Sequence, residues 1–91
     1  MIIYHGVYVI KEGMRDEYVS ALRESGVMGA FRKQPGNLYY NVSMAIDNEN
    51  EVVVSDGWKT IEDFDGHRGS KEVATIWQPL YDRYVERKYE L

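Results

Sequence analysis

The first ten residues, Met1 to Ile10, read M-I-I-Y-H-G-V-Y-V-I and set the strictest condition on the fold. β-Branched and aromatic side chains dominate, as in a strand. Alternate residues of a strand point to opposite faces, so Ile3, Val7 and Val9 share one face and Ile2, Tyr4, Tyr8 and Ile10 the other. Both faces are apolar. Such a strand belongs to a sheet covered on both sides. A chain of 91 residues makes one small domain, residues 1–91, with helices enough to cover one side.

The remaining segments follow in order. After a turn at Lys11-Glu12-Gly13, helical spacing runs from Met14 to about Lys33 through Met14, Tyr18 and Leu22, continued by Ala21, Met28 and Phe31. Gly26 and Gly29 are poor helix formers that either kink this segment or leave room for a ligand or close packing. Gln34-Pro35-Gly36 ends it. Asn37 to Ile46 is a second strand, with Leu38, Tyr40, Val42, Met44 and Ile46 on one face and Tyr39, Asn41, Ser43 and Ala45 on a more polar one. The loop Asp47 to Asn50 predicts a hairpin to a third strand, whose buried parity of Val52, Val54 and Trp58 is interrupted by Asp56.

Thr60 then suits a helix N-cap, with Asp63 three residues on as a near capping box. Ile61, Phe64 and Arg68 continue at helical spacing, with His67 toward the end of this short helix. Gly69-Ser70 breaks it. A further helix is predicted from about Lys71 to Gln78, its stripe formed by Val73, Ile76, Trp77 and Leu80, with Pro79 marking its end. Tyr84 to Leu91 alternates as a final strand.

The order β-α-β-β-α-β predicts an α+β, ferredoxin-like fold: a four-stranded antiparallel sheet with helices on one face. The other face carries Ile3, Val7 and Val9 or the alternate parity, joined by Tyr39, Val53, Val85 and Tyr89. An apolar face of that size needs a partner. The expected partner is a second copy, sheet against sheet about a two-fold axis.

Composition narrows the function classes. There is no cysteine, hence no disulfide, thiolate zinc site or cysteine nucleophile. Two histidines without carboxylates at ligand spacing predict no metal site. No phosphate loop or dinucleotide fingerprint is present, so no bound cofactor is expected. A net charge of −4 without a basic cluster argues against nucleic acid. No apolar run approaches the roughly 20 residues of a membrane span, and no signal peptide is evident, so a cytoplasmic protein is expected.

The stretch Trp58 to His67, W-K-T-I-E-D-F-D-G-H, hinges the third strand to the helix folding back over it. An indole and an imidazole so placed line a pocket between sheet and helix. The plainer alternative makes Trp58 a core anchor and His67 a helix-terminal residue.

Several segments together resemble the antibiotic biosynthesis monooxygenase family, small dimeric α+β barrel proteins. They are the apolar first strand ending in K-E-G, the helix R-D-E-Y-V-S-A-L, the run P-G-N-L-Y-Y-N-V, the tryptophan with histidine nine residues later, and the terminal R-K-Y-E-L. The resemblance covers nearly the whole chain and implies the dimeric α/β barrel more firmly than any one reaction. Haem-degrading relatives use an asparagine, a tryptophan and a histidine where this chain has Gly6, His67 and Trp77, so haem chemistry is not expected.

The cofactor-free oxygenases of the family imply an aromatic, phenolic or quinol-like small-molecule substrate and a base that makes the phenolate. His67 is then the first candidate base and His5 the second. Trp58, Tyr40 and Trp77 would sandwich the ring, or simply pack the core, and Tyr4 or Tyr8 with Asp56 would bind polar substituents. His5 reaches the helix-side pocket only if Ile3 and Val7 face it too, and then Tyr4 and Tyr8 face the partner. The sequence leaves both parities open. The rivals of the oxygenase are a non-catalytic ligand-binding dimer and an isomerase of the same fold.

Overall fold

The computed structural model describes residues 1–91. Its strands are β1 (Ile2–Ile10), β2 (Asn37–Met44), β3 (Glu51–Trp58) and β4 (Val85–Glu90). They form one antiparallel sheet in the order β2-β3-β1-β4, the ferredoxin-like arrangement. The helices are α1 (Arg15–Ser25), α2 (Val27–Arg32), α3 (Ile61–Arg68) and α4 (Gln78–Tyr84), the last preceded by a π-helical turn, Val73–Trp77. The core lies between the sheet and these helices, where Tyr8, Ile10, Val52, Val54 and Trp58 meet Tyr18, Leu22, Val27, Phe31 and Trp77.

The parity of β1 is resolved by that core. Tyr8 and Ile10 are buried in it, with Ile2 and Tyr4 packed against it. Ile3, His5, Val7 and Val9 therefore point to the open face, where Val7 sits in register with Val53 on one side and Tyr89 on the other. Ile3 is 54% and Tyr89 39% exposed on this face. Val85, expected there, is instead a core residue. The β1–β4 register shifts between Val9 and Ile10, which pairs Val85 with core-facing Ile10. A bulge of this kind turns a side chain to the other face.

The single helix expected from Met14 to Lys33 is two. Gly26 adopts a left-handed φ of 72° between them, a conformation that closes α1 and suits a residue without Cβ. Arg15 at the start of α1 donates from Nη1 to the carbonyls of Ala45, Asn48 and Glu51, tying the helix to the β2–β3 hairpin. Along β2 the helices cover only the middle of the expected apolar face. Tyr40 is buried and Val42 packs on the core, whereas Leu38 and Met44 are about half exposed and Ile46 lies outside the strand.

Pro79 does not end the last helix. It occupies the first turn of α4, which runs on to Tyr84 and passes directly into β4. Proline cannot donate to the carbonyl four residues back and its ring crowds that carbonyl. The π turn immediately before it widens the helix where this misfit would fall. The helix is thereby long enough to bring Tyr81 and Tyr84 over the sheet.

Candidate functional site

Across the sheet, Asp56 of β3 stands in register with Tyr4 of β1 and Tyr40 of β2. Paired residues share a face, so a carboxylate flanked by two phenols forms a row on the helix side. Above this row is a cavity of about 620 Å³, open to solvent. Its floor is Tyr4, Tyr8, Tyr40 and Asp56; its walls are Phe64 and His67 of α3, Trp77 of the π turn and Tyr81 of α4. Arg68, Lys88 and Glu90 also line it.

His67 is brought there by α3, whose first turn is capped by the Thr60 hydroxyl accepting from the Asp63 N–H at 3.1 Å. Its ring is 8% exposed, stacked on Trp58 at 4.6 Å and enclosed edge-on by Phe31 at 4.7 Å and Tyr40 at 5.6 Å. Nδ1 is 2.7 Å from Gln34 Oε1, and Gln34 Nε2 donates to Glu72 Oε2 at 3.3 Å. This chain fixes the tautomer. A carboxylate only accepts, so the Gln34 amide nitrogen faces Glu72 and its carbonyl faces His67. Nδ1 therefore carries the proton and donates it to Gln34. Nε2 is left as the lone-pair nitrogen. Burial, with the Arg68 guanidinium adding to it and Glu72 opposing it, pushes the imidazole down to about 4. At neutral pH the ring is uncharged.

Asp56 is 2% exposed, and its Oδ2 accepts from Trp58 Nε1 at 2.6 Å. Burial pushes this carboxyl up to about 6, against the indole hydrogen bond that favours the anion. The phenols of Tyr8 and Tyr40 are raised by burial and stay protonated. A protonated phenol can donate a hydrogen bond but cannot take up a proton near neutral pH. The Tyr4 hydroxyl is buried without a hydrogen-bond partner, and a methyl added to Gly6 would come within 2.7 Å of it. Gly6 thus keeps the floor open for the Tyr4 ring to lie along the strand.

Of the residues singled out from sequence, His67, Tyr40, Trp77, Tyr4, Tyr8 and Asp56 are brought together around one cavity. Trp58 stands behind His67, fully buried, and touches the cavity only through its partners His67 and Asp56. His5, the second candidate base, is on the open face opposite Ser55 and outside the cavity. The reason is parity: Tyr4 and Tyr8 take the helix side.

Sequence reading missed Gln34 and Tyr81. Gln34 lies beside the Pro-Gly turn and looked like a helix terminator, and no local periodicity marks it. Tyr81 extends the series Val73, Trp77, Tyr81 at four-residue spacing, a signal hidden by reading Pro79 as a stop. A second cavity, about 490 Å³ between α1, α2 and β2, includes Gly26 and Gly29 in its lining. Its only ionisable lining residues are Arg23 and Arg32, whereas the tyrosine-lined cavity holds both His67 and Asp56. No group of three metal-ligating side chains forms, and no helix is long and apolar enough to cross a membrane.

Two layers, the β2-β3-β1-β4 sheet order and an aromatic cavity between sheet and helices define a ferredoxin-like α+β domain. The antibiotic biosynthesis monooxygenase family model matches residues 1–78, and the chain belongs to that family. No curated protein matches the chain. Among solved structures, a Nitrosomonas europaea protein provisionally named an antibiotic biosynthesis monooxygenase aligns with TM-score 0.84 at 17% identity, covering 98% of this chain and 84% of that one. A Shewanella oneidensis protein aligns with TM-score 0.84 at 18% identity and the same coverages, 98% and 84%. A third, named an antibiotic biosynthesis monooxygenase, aligns with TM-score 0.82 at 15% identity, covering 100% and 94%. At these identities the likeness is one of fold.

Proposed function

We propose that this chain is a cofactor-independent monooxygenase acting on a phenolic or quinol-like small molecule in the tyrosine-lined cavity. The observation that carries this reading is the meeting of aromatic walls with two uncharged or weakly held proton acceptors. Trp77, Tyr81 and Phe64 offer flat apolar surface to a ring, and the Asp56 carboxylate and His67 Nε2 offer acceptors to its hydroxyl groups. A volume of about 620 Å³ admits a polycyclic ring system.

The balanced reaction takes one phenol and one dioxygen to a quinone and one water. The phenol O–H breaks and the phenolate passes electron density to a ring carbon. That carbon forms a bond to dioxygen, giving a ring peroxide. Protonation of its outer oxygen, loss of the ring C–H proton and cleavage of the O–O bond release water and leave a carbonyl. The ring loses four electrons and dioxygen gains four. The side chains move protons, orient the ring and exclude water.

The active unit in this reading is a homodimer through the open sheet face. The apolar row of Ile3, Val7 and Val9 with Val53 and Tyr89 runs across β1, β3 and β4; Val7 is already buried, whereas Ile3 and Tyr89 remain exposed. Covering it with a second copy removes apolar surface from water at roughly 25 cal/mol per Å². Sedimentation should give a dimer at micromolar concentration that Ile3→Lys weakens; a wild-type monomer would remove the dimer.

The test of function is oxygen uptake by the purified protein with a panel of phenols and hydroquinones. Uptake abolished by His67→Ala supports the oxygenase. Turnover in the absence of oxygen would establish the isomerase reading instead. Ligand-induced thermal stabilisation without turnover would establish a binding protein.

A further inference from the structure

The proton taken from a bound phenol needs a destination, and the cavity holds two candidates of different character. His67 already spends its one N–H on Gln34, so a second proton would have to settle on Nε2. The resulting imidazolium would be enclosed by Phe31, Tyr40 and the stacked Trp58, with the Arg68 guanidinium repelling it. Of the two charged groups acting on this ring, only Glu72, reached through Gln34, favours the imidazolium.

Asp56 is built differently. Oδ2 is tied to the Trp58 indole, which fixes the carboxylate plane from its own strand. Trp58 is the side-chain donor that holds the anion, and no protein donor reaches Oδ1. The strand register sets Asp56 between Tyr4 and Tyr40, and all three line the cavity. A substrate phenol entering beside these tyrosines meets the same kind of surroundings as their own rings. The charged groups that line the cavity with Asp56 are few: Arg68 of α3, with Lys88 and Glu90 of β4. The neutral titratable ones are His67 and the tyrosines of β1, β2 and α4.

We propose that Asp56 takes the phenolic proton through its free oxygen, while His67 accepts a hydrogen bond through Nε2 and orients the ring. This rests on the phenol-oxidising reading and assigns the base within it. In the first step the substrate O–H bond breaks and the proton passes to Asp56, giving a neutral carboxyl beside a phenolate. In the second, the carboxyl returns that proton to the outer oxygen of the ring peroxide, and the carboxylate is restored. No charge is created in the buried site at either stage. With His67 as base, an imidazolium and a phenolate would have to be separated there. The relative basicities agree: about 6 for Asp56 against about 4 for His67 is about a hundredfold in proton affinity.

The experiment has two arms on the full chain. The first measures binding of 4-chlorophenol, which stays un-ionised in solution throughout, from pH 5 to pH 7, and requires no turnover. Wild type should bind more weakly as the pH falls through about 6, where Asp56 gains its proton. Asp56→Asn should lose that dependence while His67→Asn keeps it. Asp56→Asn preserves shape and an acceptor for the indole, and Trp58→Phe should move the midpoint upward by removing the donor that favours the anion. The second arm follows kcat/KM for any phenol found active by oxygen uptake. Asp56→Asn should lower it about a hundredfold or more and abolish its acid limb. Retention of the binding dependence in Asp56→Asn, or its loss in His67→Asn alone, would overturn the proposal. Inert phenols with the expected binding pattern would overturn the oxygenase reading and leave Asp56 as the proton-accepting group of a binding site.

Discussion

The indole of Trp58 and the imidazole of His67 lie nearly parallel, 4.6 Å apart and inclined by 24°. One ring ends a strand and the other sits on the helix that folds back over it. With its face on the indole and Nδ1 on Gln34, the imidazole has a single nitrogen free for chemistry. Gln34 is therefore a positioning residue. Gln34→Glu puts a carboxylate opposite the Nδ1–H and should raise the His67 pKa above its present value of about 4. Glu72→Gln should lower it, because Glu72 favours the charged ring. The chain has two histidines, so both Cε1–H resonances can be followed in one NMR titration. An unmoved His67 midpoint in Gln34→Glu would remove the tautomer chain.

The buried pair His67 and Asp56 should give opposite pH dependences of stability. His67 has a folded pKa of about 4 against 6.5 in a model peptide, so the unfolded chain binds the extra proton between these values. Its contribution to stability is lost as pH falls through that window. Asp56 has a folded value of about 6 against 3.8, so here the folded chain binds the proton. Its contribution is gained as pH falls. Each term is worth roughly 3 kcal/mol at about 1.4 kcal/mol per pH unit, and in the wild type they largely offset. Urea unfolding between pH 4 and pH 7 separates them. On acidification wild type should gain on Asp56→Asn and lose ground to His67→Gln. Equal slopes in the two variants would show that neither pKa is displaced as described.

The sequence made the fold legible because its signals are local. The period-two strands, the Asp47–Asn50 loop and the Thr60 cap each act over a few residues, and together they permit one sheet order. Parity was not legible, because β1 is apolar on both faces and only packing against α1 and α4 decides it. That one ambiguity decided whether His5 or the pair Tyr4 and Tyr8 entered the cavity. The end of the last helix was misread for a related reason. Proline is a strong local stop, and a π turn overrides it only in tertiary context. Asp56 was visible as a break in a buried strand. Its flanking by Tyr4 and Tyr40 requires the strand register, and Gln34 reaches His67 across 33 positions of sequence.

Gly6 controls the shape of the cavity floor through Tyr4. A methyl there would stand 2.7 Å from the Tyr4 hydroxyl oxygen and 3.0 Å from the ring carbon bearing it. The strand backbone can accept alanine, so the tyrosine ring must give way. Gly6→Ala should leave stability within about 1 kcal/mol of wild type, since the far end of a side chain moves and backbone freedom is reduced. The displaced ring should change ligand binding more than folding. Calorimetric titration with phenols of increasing size should show affinity falling first for the largest. Unchanged affinity across the series would mean that Tyr4 does not shape the floor.

Tyr18 supplies a test that concerns packing alone. Its side chain is fully buried under α1, its ring 5.6 Å from that of Tyr84, and its hydroxyl has no hydrogen-bond partner. Burying an unpaired hydroxyl costs about 1–3 kcal/mol in desolvation. Tyr18→Phe removes that cost and leaves a void of a single oxygen, whose lost packing takes back part of the gain. The net effect should be stabilisation of up to about 1 kcal/mol, or about 4–8 °C in Tm for a domain of this size. Tyr18 is outside the cavity lining, so ligand affinity should not change with it. Thermal unfolding at pH 7 decides the point. A loss of stability would mean that the Tyr18 hydroxyl is satisfied in solution, by a buried water or by movement of α1.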